Sequence, residues 1–306
     1  MSDTLASLRH KISGAGDLKS VVRSMKALAA SSIGQYERSV LALADYDRTV
    51  QLGLAVCLRH RGAAAAQAEP EPAAAAAPKA VRAVVFGSDQ GLVGQFNDVL
   101  ADFVAKALNP LPGVKYVWTV GDRVQSRLAE TGLTPLGVFP VPTSVNAIAP
   151  LIGRILLESE ARHGDGDDER VPLFLFHNRP DSGAAYEPVR QQLLPLDETW
   201  ASKLSHLPWP AKNLPDVIGD REGTLRALVR EYLFVSLFKA CAESLAAENA
   251  SRLAAMQRAE KNIGDLMGTL NQTFRRLRQT SIDEELFDIL SGYESLSKTN
   301  SRRGAT

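Results

Sequence analysis

The stretch of this chain whose residues could do chemistry is a glycine-containing loop, VVFGSDQGLVGQFND, at residues 84–98. Small apolar residues lead into it, glycines lie at Gly87, Gly91 and Gly94, and an amphipathic segment follows. Loops of this kind hold phosphates with their backbone N–H groups at the start of a helix. A phosphate loop also places a lysine on the phosphates, and this stretch has none. The glycines therefore favour a nucleotide site, and the missing lysine argues against one.

Other motifs give little support for an enzyme. The segment GAGDLKS at residues 14–20 resembles the end of a phosphate loop, but Leu18 stands where glycine should precede Lys19, and no strand comes before it. No G-x-G-x-x-G, H-E-x-x-H or clustered Cys/His set occurs. The five histidines are scattered, as expected of surface or packing residues: His10, His60, His163, His177 and His206. We therefore expect no catalytic, cofactor-binding or metal-binding residue.

Composition and charge exclude further classes of function. The 306 residues are enough for two domains, and the 35 basic and 35 acidic residues cancel, which argues against nucleic acid or an anionic membrane as a direct partner. Both ends are basic, with 9 Lys/Arg against 5 Asp/Glu in residues 1–61 and 12 against 10 in residues 223–306. Cys57 and Cys241 lie among apolar residues, which indicates reduced, buried thiols and a cytoplasmic setting. No apolar run approaches the ~20 residues that span a bilayer, so any membrane link should go through a partner.

Apolar residues at alternating steps of three and four predict one long helix at each end of the chain. The N-terminal seam consists of Leu5, Leu8, Ile12, Ala15, Leu18, Val22, Met25, Ala29, Ile33, Tyr36, Val40, Leu43, Asp47, Val50, Leu54 and Cys57. The C-terminal seam consists of Leu225, Leu228, Tyr232, Val235, Phe238, Ala242, Leu245, Asn249, Arg252, Met256, Ala259, Ile263, Leu266, Leu270, Phe274, Leu277, Ile282, Leu286 and Ile289. Small and polar seam residues bury little apolar surface, so such a coil should need support from outside.

Between the helices, short strand-like and helix-like segments alternate, which is typical of an open α/β sheet. We predict a coiled-coil helix at 1–61, an Ala/Pro-rich linker at 62–79, an α/β foot domain at 80–200, a connection at 201–222, and a coiled-coil helix with a tail at 223–306. Because both helices adjoin the same domain, they should pack antiparallel. The predicted fold class is α/β: a long antiparallel coiled coil with an inserted Rossmann-like open-sheet domain.

Three segments carry a resemblance to a known family. The residues ESLAAENASRLAAMQRAEKNIGDLMGTLNQTFRRLRQTSIDEEL at 243–286 resemble, without a gap, the closing pattern of the γ subunit of F-type ATP synthases. The helix LKSVVRSMKALAASSI at 18–33 resembles that family's Lys-Ile-Thr-x-Ala-Met-x-x-Val-Ala-Ala-Ser-Lys helix. The loop GSDQGLVGQFN at 87–97 resembles its Ser-Asp-Arg-Gly-Leu-Cys-Gly-Gly-Leu-Asn. Their order and spacing agree over nearly the whole chain, the 62–79 linker excepted.

The resemblance implies a non-catalytic rotor, the central stalk of a rotary ATP synthase. Such a subunit transmits torque between the membrane c ring and the catalytic sites on the β subunits, and so couples ion translocation to ATP synthesis or hydrolysis. Its upper coil turns inside the ring of α and β subunits, and its foot binds the ε subunit and sits on the c ring. The chain would lie at the cytoplasmic face of a bacterial inner membrane, with no cofactor, no small-molecule substrate and no nucleic acid. The transported ion, proton or sodium, stays open.

The resemblance also implies contacts with a β subunit. Arg278 and Gln279 match an Arg-Gln pair that meets a β-subunit catch loop, where Arg278 would be a bidentate donor and Gln279 a directional one. Further candidate contacts are Glu248, Arg252, Met25, Lys26, Asp89 and Gln90, together with Val93, which stands where the family often has cysteine. Two other roles stay open from the residues themselves. Glu248 and Arg252 have the spacing of an ordinary helix salt bridge, and Met25 lies on the predicted seam.

Some residues depart from the family pattern. Asp283 stands where the family has threonine and forms an acidic cluster with Glu284 and Glu285. Ser32 replaces a lysine, and the tail SKTNSRRGAT extends beyond the usual end. These departures favour a divergent branch or an alternate bacterial form, and they make Asp283 a further candidate contact. Two other functions stay open: a homodimeric coiled-coil scaffold, and a nucleotide-using α/β enzyme with coiled-coil arms.

Overall fold

The two terminal helices are the longest elements of the chain. A computed structural model describes residues 4–65, 79–161, 171–181, 186–196, 200, 202, 204, 206–207, 209–213 and 215–303. Helix α1 covers Leu5–Ala65, and helix α5 covers Arg221–Arg303. The predicted helices are thus confirmed, and α1 extends into the predicted linker, of which residues 66–78 lie outside the described residues. The division of the chain into five segments stays a prediction.

A five-stranded sheet lies between the long helices in sequence. Its strands are β1 (Ala80–Phe86), β2 (Val114–Val120), β3 (Gly137–Phe139), β4 (Leu173–Arg179) and β5 (Glu187–Leu194), in the order β3-β2-β1-β4-β5. Strands β1 to β4 are parallel to their neighbours, and β5 is antiparallel to β4. The helices between them are α2 (Phe96–Leu108), α3 (Asp122–Glu130) and α4 (Ile148–Ala161), with a 3-10 turn at Val145–Ala147 before α4. The predicted open α/β sheet is confirmed.

Strand β1 is buried on both faces because helices cover both sides of the sheet. Val81, Ala83 and Val85 point into a core shared with α2 and α3. Val84 and Phe86 point into the opposite core, to which α4, α1 and α5 contribute. A parallel strand covered on both faces needs a continuous apolar run rather than an alternating one, and AVRAVVF is close to such a run.

The described chain forms two compact units. Residues 28–255 contain the sheet with the adjoining parts of α1 and α5, and residues 1–27 with 256–306 contain the remaining parts of the two helices. In the second unit the guanidinium of Arg9 lies 5.8 Å from the centre of the Phe274 ring, and the side chains of Arg23 and Lys26 reach Glu260. Residue numbers rise along α1 while they fall along α5. The helices therefore run antiparallel, as predicted.

Most predicted seam residues of the two helices are buried or half-buried, and the exceptions are Leu18 in α1 and Leu266, Ile282, Leu286 and Ile289 in α5. Every predicted seam residue of α1 is buried or half-buried apart from Leu18, which is 60% exposed, while Lys19 is half-buried. In α5, Leu266 is 52% exposed and Met267 is half-buried instead. At both places the buried stripe has advanced by one residue. A helix of 3.6 residues per turn drifts against a 3.5-residue repeat, and the sequence does not fix where the seam shifts.

Two glycines in α1 offer a test of helix stability. An added Cβ at Gly14 or Gly16 would meet no atom within 4 Å, so alanine should reduce only the entropy of the unfolded chain. We expect Gly14→Ala and Gly16→Ala each to raise the free energy of unfolding by about 0.5–1 kcal/mol, measured by denaturant titration.

The control is Gly53→Ala in the same helix. Its Cβ would lie 3.1 Å from a methyl carbon of Leu228, so this contact should cancel the gain. Equal stabilisation at all three positions would contradict the prediction.

Candidate functional site

The loop that resembled a phosphate site is held by its own side chains. The backbone N–H of Ser88 donates to Asn97 Oδ1 at 3.0 Å, and Asn97 Nδ2 donates to Ser88 Oγ at 2.8 Å. The Ser88 hydroxyl in turn donates to the backbone carbonyl of Gln90 at 3.0 Å. The donors that would face a phosphate are thus used to fix the turn between β1 and α2.

Asp89 links this loop to the two segments beside it. Its carboxylate accepts hydrogen bonds from the backbone N–H of Asp122 at 3.1 Å and of Val141 at 2.8 Å. The first of these is at the start of α3 and the second follows β3. Asp89 therefore joins three connections at one edge of the sheet, while its neighbour Gln90 is exposed.

The crevice where a ligand would bind is filled by α5. In open α/β sheets, ligands bind outside the carboxyl ends of the strands where the strand order reverses, here between β1 and β4. Ser244 Oγ donates to the carbonyl of Phe86, the last residue of β1, at 3.0 Å, and Ser251 Oγ donates to the carbonyl of Val93 at 2.5 Å. Ala247 of α5 packs between these two serines against Val93 and Phe96. Helix α5 therefore occupies the crevice in which other open α/β sheets bind a ligand.

A histidine and a glutamate join the other side of this crevice. His177 on β4 is 3% exposed, and its Nε2 lies 2.8 Å from Glu243 Oε2 on α5. Of the two roles expected for the histidines, surface or packing, His177 has the buried one. The pair connects β4 to the same turn of α5 that Ser244 connects to β1.

Glu248 and Arg252 form an ion pair inside the chain. Arg252 Nη2 lies 2.5 Å from Glu248 Oε1, and their side chains are only 13% and 6% exposed. Burial raises the pKa of Glu248, and the charge and hydrogen bond of Arg252 oppose that rise. Removing one partner of a buried pair leaves an uncompensated charge and destabilises the fold, so a substitution of Glu248 or Arg252 should be tolerated only when both residues are replaced.

The last candidate residues lie near the C-terminal end of α5. Arg278, Gln279 and Asp283 are exposed, and so are five apolar side chains that follow Gln279. These are Ile282, Leu286, Phe287, Ile289 and Leu290, each more than half exposed. Helix α1 begins at Leu5, and because Arg9 lies over Phe274, that start faces the turn of α5 around Arg278. Within the described chain, α5 has no helical partner beyond this turn.

Comparison with known proteins identifies the family. The family model described as ATP synthase matches residues 4–296. The chain belongs to the ATP synthase family. It is 27% identical over 301 residues to the ATP synthase gamma chain of Anaeromyxobacter sp. (strain Fw109-5), and the match covers 96% of this chain and 99% of that protein. It is 28% identical over 304 residues to the gamma chain of Granulibacter bethesdensis, with the same coverage.

Solved structures of ATP synthases share the fold. The Euglena gracilis mitochondrial ATP synthase rotor in rotational state 1 superposes with a TM-score of 0.63 at 15% identity, covering 91% of this chain and 98% of that one. A chain of the Euglena OSCP/F1/c-ring structure in state 3 gives 0.65 at 15% identity, covering 95% and 94%. At this identity the likeness supports the architecture of the γ-type chain, including its long helices and central sheet.

The structure separates the predicted contact residues of this γ-type chain into accessible and internal ones. Arg278, Gln279, Asp283 and Gln90 are exposed and free to meet a partner. Val93 and Glu248 are only 2% and 5% exposed, so they pack inside the chain, and their side chains do not present a surface to a β subunit. The carboxylate of Asp89 is likewise used within the chain, Arg252 is paired with Glu248, and Met25 and Lys26 are half-buried.

Several internal contacts of the γ-type chain have no signal in the sequence. The pairs formed by Arg23 and Lys26 with Glu260 join residues more than 230 positions apart, and so their discovery requires the register of the two helices. Ser244, Ser251 and Glu243 lie in the segment that carries the family resemblance, but nothing in their types shows that they face the sheet. Both cysteines are buried and free, as predicted, and burial raises the pKa of each thiol.

The described residues offer neither a metal-ligand cluster nor a membrane-spanning helix. No group of three or more His, Cys, Asp or Glu side chains in that part of the γ-type chain could hold a metal ion. No helix among the same residues is both long and apolar enough to cross a membrane.

Glu260 makes the stability of the two-helix unit depend on pH. Hydrogen bonds from Arg23 at 2.8 Å and Lys26 at 2.5 Å lower the pKa of this carboxyl to about 2. Because the folded pKa lies below the unfolded one of about 4.5, the stabilisation is complete above pH 4.5 and is lost as the pH falls through 4.5 towards 2. We therefore expect Glu260→Gln to flatten the acid limb of the stability curve, measured by denaturant unfolding between pH 6 and pH 2.5.

Asp265→Asn is the matched control. Asp265 is an exposed carboxylate on the same helix, and no ion pair to it is found among the described residues. If Glu260→Gln and Asp265→Asn change the acid limb equally, the bridge to Arg23 and Lys26 does not stabilise the unit.

Proposed function

We propose that this chain is the rotating central stalk of an F-type ATP synthase, transmitting torque between a membrane c ring and the catalytic sites of β subunits. The observation that carries the proposal is the full-length match to ATP synthase gamma chains, in a chain whose two terminal helices pair antiparallel. The solved relatives bear the descriptions "rotor" and "central stalk/cring". A subunit that transmits torque needs a stiff shaft and side chains that contact the neighbouring subunits. It does not need a catalytic site.

The partners follow from the family. The exposed tip of α5, with its apolar side chains from Ile282 to Leu290, would turn within the ring of α and β subunits. Apolar contacts suit a rotating bearing because they are not directional. The α/β domain would bind the ε subunit and sit on the c ring, and the chain would then lie peripherally at the cytoplasmic face of a bacterial inner membrane. The c ring, rather than this chain, would determine whether protons or sodium ions are transported.

The exposed pair Arg278 and Gln279 provides the proposed catch with a β subunit. Neither side chain makes a hydrogen bond or ion pair within the described part of the chain, so both are available to a partner. Arginine offers a planar fork of donors and glutamine a directional amide. Asp283 lies on the next turn, where its charge would attract a cation of the partner or repel an acidic one.

Single-molecule rotation tests the proposal. Lys106 on α2 is exposed, so Lys106→Cys would carry a bead, while the native cysteines Cys57 and Cys241 are buried. With the chain assembled into its ring of α and β subunits, ATP should drive the bead in one direction. A complex that hydrolyses ATP while the bead shows only thermal fluctuation would refute the rotor function.

The scaffold alternative predicts a different cross-link. Cysteines introduced as Arg23→Cys and Glu260→Cys lie on facing helices of one chain and should be joined by a short bifunctional maleimide without a change of molecular mass. A homodimer that pairs its helices between copies would give a product of doubled mass. The enzyme alternative is disfavoured by the crevice at the sheet edge, which α5 fills.

A further inference from the structure

One segment of α5 makes most of the polar contacts of this helix with the sheet and its loops. Outside this segment, the Tyr232 hydroxyl accepts a long hydrogen bond from Gln191 Nε2 of β5 at 3.5 Å. Ser244, Ala247 and Ser251 follow each other at steps of three and four residues, so they lie on one face of the helix. All three are buried, at 3%, 0% and 6% exposure. This face rests on the carboxyl edge of the sheet, at the point where the strand order reverses.

The serine hydroxyls of this segment are used differently from the threonine hydroxyls farther along α5. Thr269, Thr273 and Thr280 of α5 donate to carbonyls four residues earlier in the same helix. Ser244 and Ser251 donate instead to the carbonyls of Phe86 and Val93, 158 residues away in each case. Glu243 adds a third link through His177, 66 residues away. Three polar contacts between separate elements are thus concentrated within nine residues of one helix.

These contacts differ in kind from the apolar packing around them. Apolar side chains of α5 such as Leu245 and Ala246 also join the core, but apolar contact resists sliding only weakly because it has no preferred direction. Hydrogen bonds are directional and weaken steeply when their angle or length changes. A buried carbonyl that loses its donor also pays the full cost of desolvation.

We propose that Glu243, Ser244 and Ser251 fix the α/β domain rotationally to α5, so that torque applied to the sheet reaches the helix without slippage. In other open α/β sheets, this crevice binds a nucleotide. In this chain, side chains of α5 fill the crevice, and we infer that it serves as a mechanical joint. The three residues are positioning residues for torque transmission. This inference rests on the rotor function proposed above.

The torsional stiffness of the assembled rotor measures the joint. A bead is attached to Lys106→Cys on the α/β domain, and the complex is stalled with a non-hydrolysable ATP analogue so that the upper shaft is held. The variance of the bead's angle is then proportional to the torsional compliance between domain and shaft. We expect Ser244→Ala/Ser251→Ala to increase this variance about twofold, because two of the three directional links are lost.

The control removes the same number of hydroxyls away from the joint. Ser126 and Thr49 are exposed and donate only to carbonyls four residues earlier in their own helices. Ser126→Ala/Thr49→Ala should therefore leave the variance as in the parent protein. The bead's angle is recorded well below the unfolding temperature, where a general loss of stability does not broaden its distribution. An increased variance therefore distinguishes a joint from a merely structural contact.

The outcomes of this experiment distinguish a failure of the proposed joint from a failure of the rotor function. If the angular variance of Ser244→Ala/Ser251→Ala equals that of the control while the parent complex rotates normally, the joint is refuted and the rotor function stands. If the parent complex does not rotate, the rotor function fails and the joint fails with it. Should the double variant not assemble, the single changes Ser244→Ala and Ser251→Ala are each expected to give a smaller increase, and unchanged variance in both would overturn the inference.

Discussion

An assembled complex that carries Arg278→Ala and Gln279→Ala should rotate about tenfold more slowly under ATP than the parent, since loss of one charge-assisted contact in the rate-limiting state raises the barrier by about 1.4 kcal/mol. Both side chains are exposed in the free chain. Their loss should therefore leave the free energy of unfolding of the isolated chain within about 0.5 kcal/mol of the parent value. Rotation of a bead and denaturant unfolding are the two measurements.

Lys261→Ala/Asn262→Ala is the matched control for this prediction. It also removes a cation and an amide from adjacent exposed positions of α5, but outside the turn that matches the β-subunit catch. We expect near-parent rotation from it. Equal rotation rates in the two double variants would show that Arg278 and Gln279 do not form the catch, without affecting the assignment of the fold.

The second large effect concerns the turn between β2 and α3. Gly121 has φ +114°, and a Cβ there would lie 2.7 Å from the backbone carbonyl atoms of Ser88. Backbone cannot move aside as a side chain does, and the Gly121 N–H is also held by the carbonyl of Phe139 at 2.9 Å. Gly121→Ala should therefore lower the free energy of unfolding by about 3 kcal/mol or more, measured by denaturant titration.

Gly132→Ala separates the two causes of this loss. Gly132 also has a positive φ, +85°, but a Cβ at that position would meet nothing within 4 Å. Only the strain of the left-handed backbone remains there, which costs about 1–2 kcal/mol. If both variants lose the same free energy, the close approach of Gly121 to Ser88 contributes nothing.

The long-range pattern of the fold could be predicted because it depends on local periodicity. Heptad seams predicted both terminal helices, and the alternation of strand-like with helix-like segments predicted the open α/β sheet. Small shifts escaped prediction. The seams move by one residue at Leu18 and Leu266, because the place where a helix accommodates the mismatch between 3.5 and 3.6 residues depends on its partner.

The predicted contact residues also fall into those whose exposure the sequence indicated and those whose burial depends on tertiary packing. Arg278, Gln279 and Asp283 are exposed at the end of α5, as a motif on a free helix suggests. Glu248 matches a family position and Val93 stands where the family often has cysteine, yet both are internal, since burial depends on which elements come together in space. The salt bridge between Glu248 and Arg252, one of the two roles that their spacing left open, is present, because residues four apart on a helix are neighbours.

The sequence by itself determined the long helices, the open α/β sheet and the family, because each depends on residue types at short, regular spacing. It also determined the antiparallel order of the long helices, because both adjoin the same domain. Only the tertiary structure decided what the loop at residues 87–97 holds. Its glycines and polar side chains are compatible with a phosphate or with a helix. The hydroxyls of Ser244 and Ser251, from a segment more than 140 residues later in the chain, fill that edge of the sheet. Contacts across such separations depend on how the elements pack, which no local pattern of residues encodes.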